Sequence, residues 1–125
     1  MEKINKKILI VEDDKDILFI LQKRFAIEGF SVFTAKDGEE AIAIAENSKP
    51  DLIISDVLMP KLGGLEMAEK IKEFNKDVKI MFLTNIKDAE YVDRIEKSGN
   101  SDYLIKSELR IDEIVDRIKT KLGVK

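Results

Sequence analysis

Short apolar runs alternate along this chain with longer stretches in which apolar residues recur every three or four positions. The runs are rich in Ile, Val, Leu and Phe, which is typical of strands buried on both faces of a sheet. Five such runs occur, at about residues 7–11, 30–34, 51–56, 78–83 and 102–105. The pattern predicts five strands, each followed by a segment of helical length.

The intervening segments have the periodicity of amphipathic helices. The first helix is predicted over about 14–28 with Gly29 as its stop, because glycine readily adopts the left-handed conformation that ends many helices. The second begins near Asp37 and must end before Pro50. Three more are predicted around residues 65–71, over about 87–98 ending at Gly99, and over about 111–122.

Five successive strand–helix units predict an α/β domain with a mainly parallel sheet and helices on both faces. Five strands are too few for an eight-stranded barrel. We therefore expect an open, doubly wound, flavodoxin-like sheet with the strand order 2-1-3-4-5. The chain has 125 residues, which suits one domain, and we expect residues 1–125 to form it without a second domain.

The composition excludes several kinds of chemistry. The chain has no cysteine and no histidine, so disulfides, thiolate metal sites and histidine acid–base catalysis are impossible. Its net charge of -3 argues against direct binding of nucleic acid. No apolar run approaches the roughly 18 residues of a membrane span, and the start does not resemble a signal peptide. We expect a cytoplasmic protein without a membrane partner.

Polar residues stand where the predicted strands end. In a doubly wound sheet, ligands bind outside the carboxyl ends of the strands, so these side chains should converge on one patch. Clustered carboxylates would favour a magnesium ion, and a nearby lysine and hydroxyl suit the oxygens of a transferring phosphoryl group. The residues concerned are Glu12, Asp13, Asp14, Asp56, Thr84, Asn85 and Lys106.

Each of these residues also has a purely structural interpretation. Asp14 or Asp16 could cap the first helix, and Asp56 could stabilise the turn that follows its strand. Thr84 could serve only as a β-branched strand residue, and Lys106 could be a surface lysine.

The order and spacing of these motifs resemble the receiver domain of two-component response regulators, including single-domain chemotaxis-type regulators. The resemblance covers nearly the whole chain. It rests on four segments, which are Ile-Val-Glu12-Asp13-Asp14, Asp56-Val-Leu-Met-Pro60 with Gly64, Leu83-Thr84, and Asp102-Tyr103-Leu-Ile-Lys106.

The resemblance implies a metal site next to a phosphoacceptor. Asp56 matches the phosphoacceptor and also contributes to the metal site. Asp13 matches the direct ligand of Mg²⁺, for which Mn²⁺ could substitute, and Glu12 matches the neighbour that often acts through water. Leu58 would supply its backbone carbonyl.

The resemblance also implies a switch. Thr84 matches the hydroxyl that hydrogen-bonds the phosphoryl group, and Lys106 matches the lysine that pairs with it. Tyr103 matches the aromatic residue that moves between exposed and inward rotamers, although a strand tyrosine commonly just packs.

The implied function is a signalling switch rather than a turnover enzyme, which catalyses only its own phosphorylation and slow dephosphorylation. A sensor histidine kinase or a histidine phosphotransfer protein would donate the phosphoryl group. An output protein would bind the face formed by the fourth helix, the fifth strand and the fifth helix. We expect no output domain within this chain.

Two positions depart from the family pattern. Ser107 follows Lys106 where proline is common, so we expect a trans peptide bond and a redirected loop. Asn85 is bulkier than the small residue that usually follows the switch hydroxyl, and we expect it to affect the phosphotransfer rate or the choice of donor.

Three alternative functions stay open at this point. A phosphatase of the haloacid dehalogenase type would need an acidic residue where Leu58 stands. A flavodoxin-like FMN protein would need a phosphate-binding loop after the first strand, where Glu12 and Asp13 stand instead. A degenerate receiver used only for protein binding is favoured by nothing except Asn85 and Ser107.

Overall fold

The predicted sheet is present in the computed structural model, which describes residues 3–85, 89–97, 101–108 and 110–124. Five parallel strands are hydrogen-bonded in the order β2-β1-β3-β4-β5, as expected for a flavodoxin-like sheet. Their bounds are β1 Lys7–Val11, β2 Ser31–Ala35, β3 Leu52–Ser55, β4 Lys79–Thr84 and β5 Ser101–Ile105.

Five helices alternate with these strands. Their bounds are α1 Lys15–Ile27, α2 Gly38–Ser48, α3 Gly64–Phe74, α4 Ala89–Lys97 and α5 Ile111–Leu122. A short 3₁₀ turn, Lys106–Glu108, follows β5. The predicted stop of the fourth helix at Gly99 lies outside the described residues. None of the described helices is long and apolar enough to cross a membrane.

Alternation along the strands divides the core between the two faces of the sheet. On one face, Leu9, Ile53 and Phe82 pack against α2, α3 and α4. On the other face, Ile8 and Ile54 pack against α1 and α5. Side chains buried on both faces explain why the strands read as continuous apolar runs.

The end of α1 shows why the predicted strand boundaries differ by a residue. Gly29 has a φ of 103°, which confirms it as the stop. The N–H of Phe30 donates to the carbonyl of Phe25 (3.2 Å) and that of Gly29 to the carbonyl of Ala26 (3.0 Å), so the helix ends in a Schellman motif. Phe30 packs edge-on against Phe25. It therefore belongs to the helix cap, and β2 begins one residue later than predicted.

Candidate functional site

The predicted site residues meet at the carboxyl edge of the sheet. Glu12 directly follows β1, Asp56 directly follows β3, Thr84 is the last residue of β4, and Lys106 directly follows β5. Because all strands are parallel and β1, β3, β4 and β5 are successive neighbours, their ends lie side by side. The convergence expected from the sequence is confirmed for these four residues.

Lys106 connects the two carboxylates of the site. Its Nζ lies 2.6 Å from Glu12 Oε1 and 2.9 and 3.1 Å from the two Asp56 oxygens. The Lys106 side chain is 17% exposed, Asp56 13% and Glu12 3%. Charge-assisted hydrogen bonds in such a poorly hydrated setting fix the ammonium group firmly. The alternative of Lys106 as a plain surface lysine is therefore wrong.

Backbone contacts hold the carboxylates in place. The Glu12 N–H donates to the Ala35 carbonyl (3.0 Å), and the Asp56 N–H donates to the Val11 carbonyl (3.3 Å). Glu12 Oε2 also accepts from the N–H of Asp14 at 3.1 Å. Glu12 and Asp56 are thus positioned by extensions of the sheet ladder rather than by a free loop.

The start of α3 at Gly64 packs directly against the backbone of Asp56. A Cβ atom there would lie 2.0 Å from the carbonyl oxygen of Asp56, which no side chain could tolerate. That carbonyl also accepts a hydrogen bond from the Ser55 hydroxyl at 2.8 Å. Any larger residue at position 64 would displace Asp56. No pattern in the sequence indicates that Ser55 contacts the backbone of Asp56 in this way.

Three carboxylates could hold a cation. One ligand oxygen from each of Glu12, Asp13 and Asp56 lies within 4.8 Å of the others. Asp13 is exposed while Glu12 is buried, so the cluster opens to solvent on the Asp13 side. Such an all-oxygen donor set with an open side fits Mg²⁺, which usually keeps several water ligands.

Asp14 has a different task. Its Oδ1 accepts hydrogen bonds from the N–H groups of Asp16 (2.9 Å) and Ile17 (3.2 Å), which makes it the N-cap of α1. The structural interpretation of Asp14 is therefore correct. Asp16 stands in the first turn of α1, where a negative charge is favourable.

The interactions among the charged groups of the site shift their pKa values in different directions. Burial and the neighbouring Glu12 carboxylate raise the pKa of Asp56 to about 7. Burial also opposes ionisation of Glu12, but hydrogen bonds with Asp56 and Lys106 outweigh it and lower the pKa of Glu12. The pKa of Lys106 is raised because its hydrogen bonds to Glu12 and Asp56 outweigh its burial. The repulsion between the two carboxylates is therefore expressed mainly as a raised pKa of Asp56.

A cavity of about 220 Å³ opens beside Asp56. Thr84, only 4% exposed, forms part of its wall. Leu58, which is 62% exposed, stands at the same cavity. The lining residues are Asp56, Val57, Leu58, Thr84, Asn85 and Lys106. Every residue predicted from the sequence to contact a phosphoryl group thus borders this one cavity.

Neither Tyr103 nor Ser107 is among the residues that line the cavity beside Asp56. Tyr103 is half-buried and packs against the core under α2, α3 and α4. Its predicted rotamer switch stays a prediction. No peptide bond among the described residues is cis, which confirms the trans bond expected between Lys106 and Ser107.

Comparison with known proteins identifies the family. Residues 8–119 match the sequence profile of the response regulator receiver domain. This chain belongs to the response regulator receiver family. The flavodoxin-type and haloacid dehalogenase-type hypotheses are therefore wrong.

One sequence relative of this receiver domain is the alkaline phosphatase synthesis transcriptional regulatory protein PhoP of Bacillus subtilis. The two are 42% identical over 105 residues, which cover 82% of this chain and 43% of the regulator. The receiver domain spans about half the length of the curated relatives that it matches.

Solved structures share the fold over almost their full length. A two-component response regulator from Clostridium difficile superposes with a TM-score of 0.88 at 29% identity, covering 95% of this receiver domain and 97% of that chain. The response regulator TrrA of Thermotoga maritima, solved in complex with Mg²⁺ and BeF, gives a TM-score of 0.80 at 34% identity, covering 93% and 98%.

Proposed function

We propose that this receiver domain is a phosphoacceptor switch in which Asp56 takes a phosphoryl group from a partner histidine in a magnesium-dependent reaction. The observation that supports it best is the shared cavity, which brings the carboxylate of Asp56 together with Thr84 and Lys106. The TrrA structure holds Mg²⁺ and BeF, the chemistry that the acidic cluster of this chain would accommodate.

In the proposed step, an oxygen of ionised Asp56 attacks the phosphorus of the donor phosphohistidine. The new O–P bond forms as the N–P bond breaks, and the histidine nitrogen leaves with the electron pair. Lys106 keeps its proton and stands 2.9 Å from Asp56 Oδ1, where its ammonium can pair with a phosphoryl oxygen. Glu12 holds that ammonium on its other side.

Glu12, Asp13 and Asp56 would hold the magnesium ion, together with the backbone carbonyl of Leu58. When bound, the ion supplies positive charge that favours ionised Asp56 and offsets the charge of the phosphoryl oxygens. Mn²⁺, which also accepts oxygen ligands, would substitute.

The switch would follow from the added charge at Asp56. Thr84 borders the cavity at the end of β4, so its hydroxyl can donate to a phosphoryl oxygen after a small shift. Such a shift at β4 reaches its neighbour β5, where Tyr103 pairs with Phe82. We propose that the face formed by α4, β5 and α5 then binds an output protein in the cytoplasm.

A groove next to the site suits the donor protein. It has a volume of about 230 Å³ and lies between α1 and α5, with Lys106 at one end. Ile20 lines it and is 55% exposed, and the adjacent Phe19 is 61% exposed. Lys106 borders both this apolar groove and the cavity beside Asp56, so we propose that a histidine kinase or phosphotransfer protein covers the groove when it reaches Asp56.

The experiment is intact-mass measurement after incubation with acetyl phosphate and Mg²⁺. The native chain should gain one phosphoryl mass, whereas Asp56→Asn and the native chain in excess chelator should not. Asp77→Asn, at the opposite end of the sheet, is the matched control and should react normally. Equal uptake by Asp56→Asn would overturn the assignment of the phosphoacceptor.

The donor groove is tested with a phosphorylated histidine donor protein. Ile20→Lys should slow transfer from the protein donor tenfold or more and leave uptake from acetyl phosphate within twofold, because the small donor needs no groove. Glu46→Lys, exposed on α2, is the matched control. If Ile20→Lys slowed both donors equally, the groove would have no role in docking.

A further inference from the structure

A second cavity lies away from the phosphoacceptor site, between α3 and α4. Helix α3 packs closely along α2, whereas α4 packs mainly on β5, so the two helices leave a cleft above β4. The cleft has a volume of about 440 Å³, within the range of roughly 300–1,000 Å³ that is usual for small-molecule sites. It shares no residue with the cavity beside Asp56.

The cleft combines an apolar floor with a cationic rim. Leu65 and Ala68 of α3 and Phe82 of β4 form the floor, and all three are at most 6% exposed. The remaining lining residues are charged, and they are Lys72, Arg94, Lys97 and Glu69. Cations thus outnumber carboxylates among the side chains that line the cleft, on a protein whose net charge is -3.

The rim cations on α4 are held only weakly by protein carboxylates. Arg94 Nη2 lies 3.9 Å from Glu66 Oε1, and both side chains are more than 40% exposed. Lys97 Nζ lies 3.0 Å from Asp93 Oδ2 in a pair that is even more exposed. Exposed pairs of this kind contribute little, so both cations can turn toward a ligand at small cost.

We propose that the α3–α4 cleft binds small amphipathic anions, in which an apolar body carries one carboxylate, sulfonate or phosphate group. The body would lie over Leu65 and Ala68 and against the aliphatic stems of Arg94 and Lys97, and the anionic group would face the charged ends of those two side chains. Binding at this cleft does not require phosphorylation of Asp56, so an experiment can support or contradict this proposal independently of the proposed switch.

The test uses 1-anilinonaphthalene-8-sulfonate as the probe and N-phenyl-1-naphthylamine, which has the same rings without the sulfonate, as its uncharged counterpart. Fluorescence titration should show that the sulfonate binds at least fivefold more tightly than the amine. Arg94→Gln/Lys97→Gln should weaken sulfonate binding at least fivefold. Lys23→Gln/Lys36→Gln, which removes two exposed positive charges outside α3 and α4, should change it less than twofold.

Backbone amide shifts from a titration followed by NMR locate the probe. Shifts should concentrate at Leu65, Ala68 and Phe82. Shifts centred on Ile17 and Ile111 would place the probe in the α1–α5 groove and overturn the proposal. The proposal is equally wrong if both double variants weaken binding alike, if the uncharged amine binds as tightly, or if millimolar sulfonate leaves the spectrum unchanged.

Discussion

Two groups of charged residues in this protein contain similar types of side chain but differ in their balance of positive and negative charge. In the acidic cluster, Glu12, Asp13 and Asp56 face one cation among the described residues, Lys106. The α1–α5 ion network instead pairs two carboxylates with two cations, and its members are Arg24, Glu28, Asp112 and Lys119. In each group a lysine Nζ lies 2.6 Å from a glutamate oxygen.

Charge balance separates the two groups. In the α1–α5 ion network, hydrogen bonds from Lys119 and then Arg24 lower the pKa of Glu28. In the acidic cluster, burial and Glu12 raise the pKa of Asp56 to about 7. A balanced network stabilises its ionised carboxylates, whereas the unbalanced cluster leaves room for one more positive charge. This excess of negative charge supports the proposal that a metal ion and a phosphoryl group bind at the acidic cluster.

The largest expected effect comes from removing the lysine of each group. Lys106→Gln leaves two poorly hydrated carboxylates without their cation, so we expect about 2–3 kcal/mol of destabilisation at pH 8 in chelator. Lys119→Gln should cost less than about 1 kcal/mol, because Arg24 still pairs with Glu28 and both groups are more exposed. Urea unfolding measures both values.

Adding Mg²⁺ provides a second test of whether charge balance causes the difference between the two lysine variants. Saturating Mg²⁺ should restore much of the stability lost in Lys106→Gln, since the ion replaces the missing positive charge. It should leave Lys119→Gln unchanged relative to the native chain. Equal costs for the two variants would show that charge balance does not distinguish the groups.

The next effect concerns metal affinity. Asp13→Asn should weaken Mg²⁺ binding about tenfold or more, about 1.4 kcal/mol or more, because a hard cation loses a charged oxygen ligand. Asp13 is exposed, so the substitution should leave the fold intact. Isothermal titration would measure the affinity, with Asp16→Asn as control. Unchanged affinity in Asp13→Asn would exclude Asp13 as a ligand.

The two groups should also respond to pH in opposite directions. Asp56 has a folded pKa of about 7 against an ordinary value of 3.8, so the native state holds its proton more tightly. Stability should therefore fall as the pH rises from about 4 to 7. Glu28 has a lowered pKa, so its contribution is present above 4.5 and is lost as the pH falls through the folded value.

Measurements of unfolding free energy in chelator across this pH range test the direction of both pH dependences. Asp56→Asn should remove the loss of stability between pH 4 and 7, and it should be more stable than the native chain at pH 8. Glu28→Gln should flatten only the acid side. A native profile that keeps its decline in Asp56→Asn would mean that another group titrates there.

The sequence was sufficient to predict the fold and the convergence of the polar residues at one edge of the sheet, because both depend on strands. A parallel strand buried on both faces gives an unbroken apolar run, and the polar residues after each run must meet at one edge. Glu12, Asp56 and Lys106 were found in this way. Their short hydrogen bonds could not be predicted, since side-chain distances follow from the packed sheet.

The features that could not be predicted from the sequence depend on the geometry of individual contacts, some of them between distant parts of the chain. Asp14 stands in the same acidic run as Asp13, and only its hydrogen bonds to α1 show that it caps the helix. Glu28 and Lys119 are 91 positions apart, so nothing local indicates that they pair. The cleft between α3 and α4 depends on a gap between helices, which residue periodicity does not encode.

The smallest expected effect tests how open the acidic cluster's cavity is to water. Leu58 stands beside Asp56 at the cavity and is 62% exposed, so it can cover the approach of water without orienting it. Leu58→Asn should therefore speed loss of the phosphoryl group about three- to fivefold, less than about 1 kcal/mol in barrier height. The decay of the phosphoprotein, followed by intact mass after the donor is removed, gives the rate. Met59→Leu is the control, since it preserves an apolar loop residue one position further on. In the receiver fold, the residue two positions after Thr84 flanks the same approach; here it is Ile86, which lies outside the described residues. If Leu58→Asn decays at the native rate, the cavity admits water by another path, and the exposed leucine has no part in the lifetime of the signal.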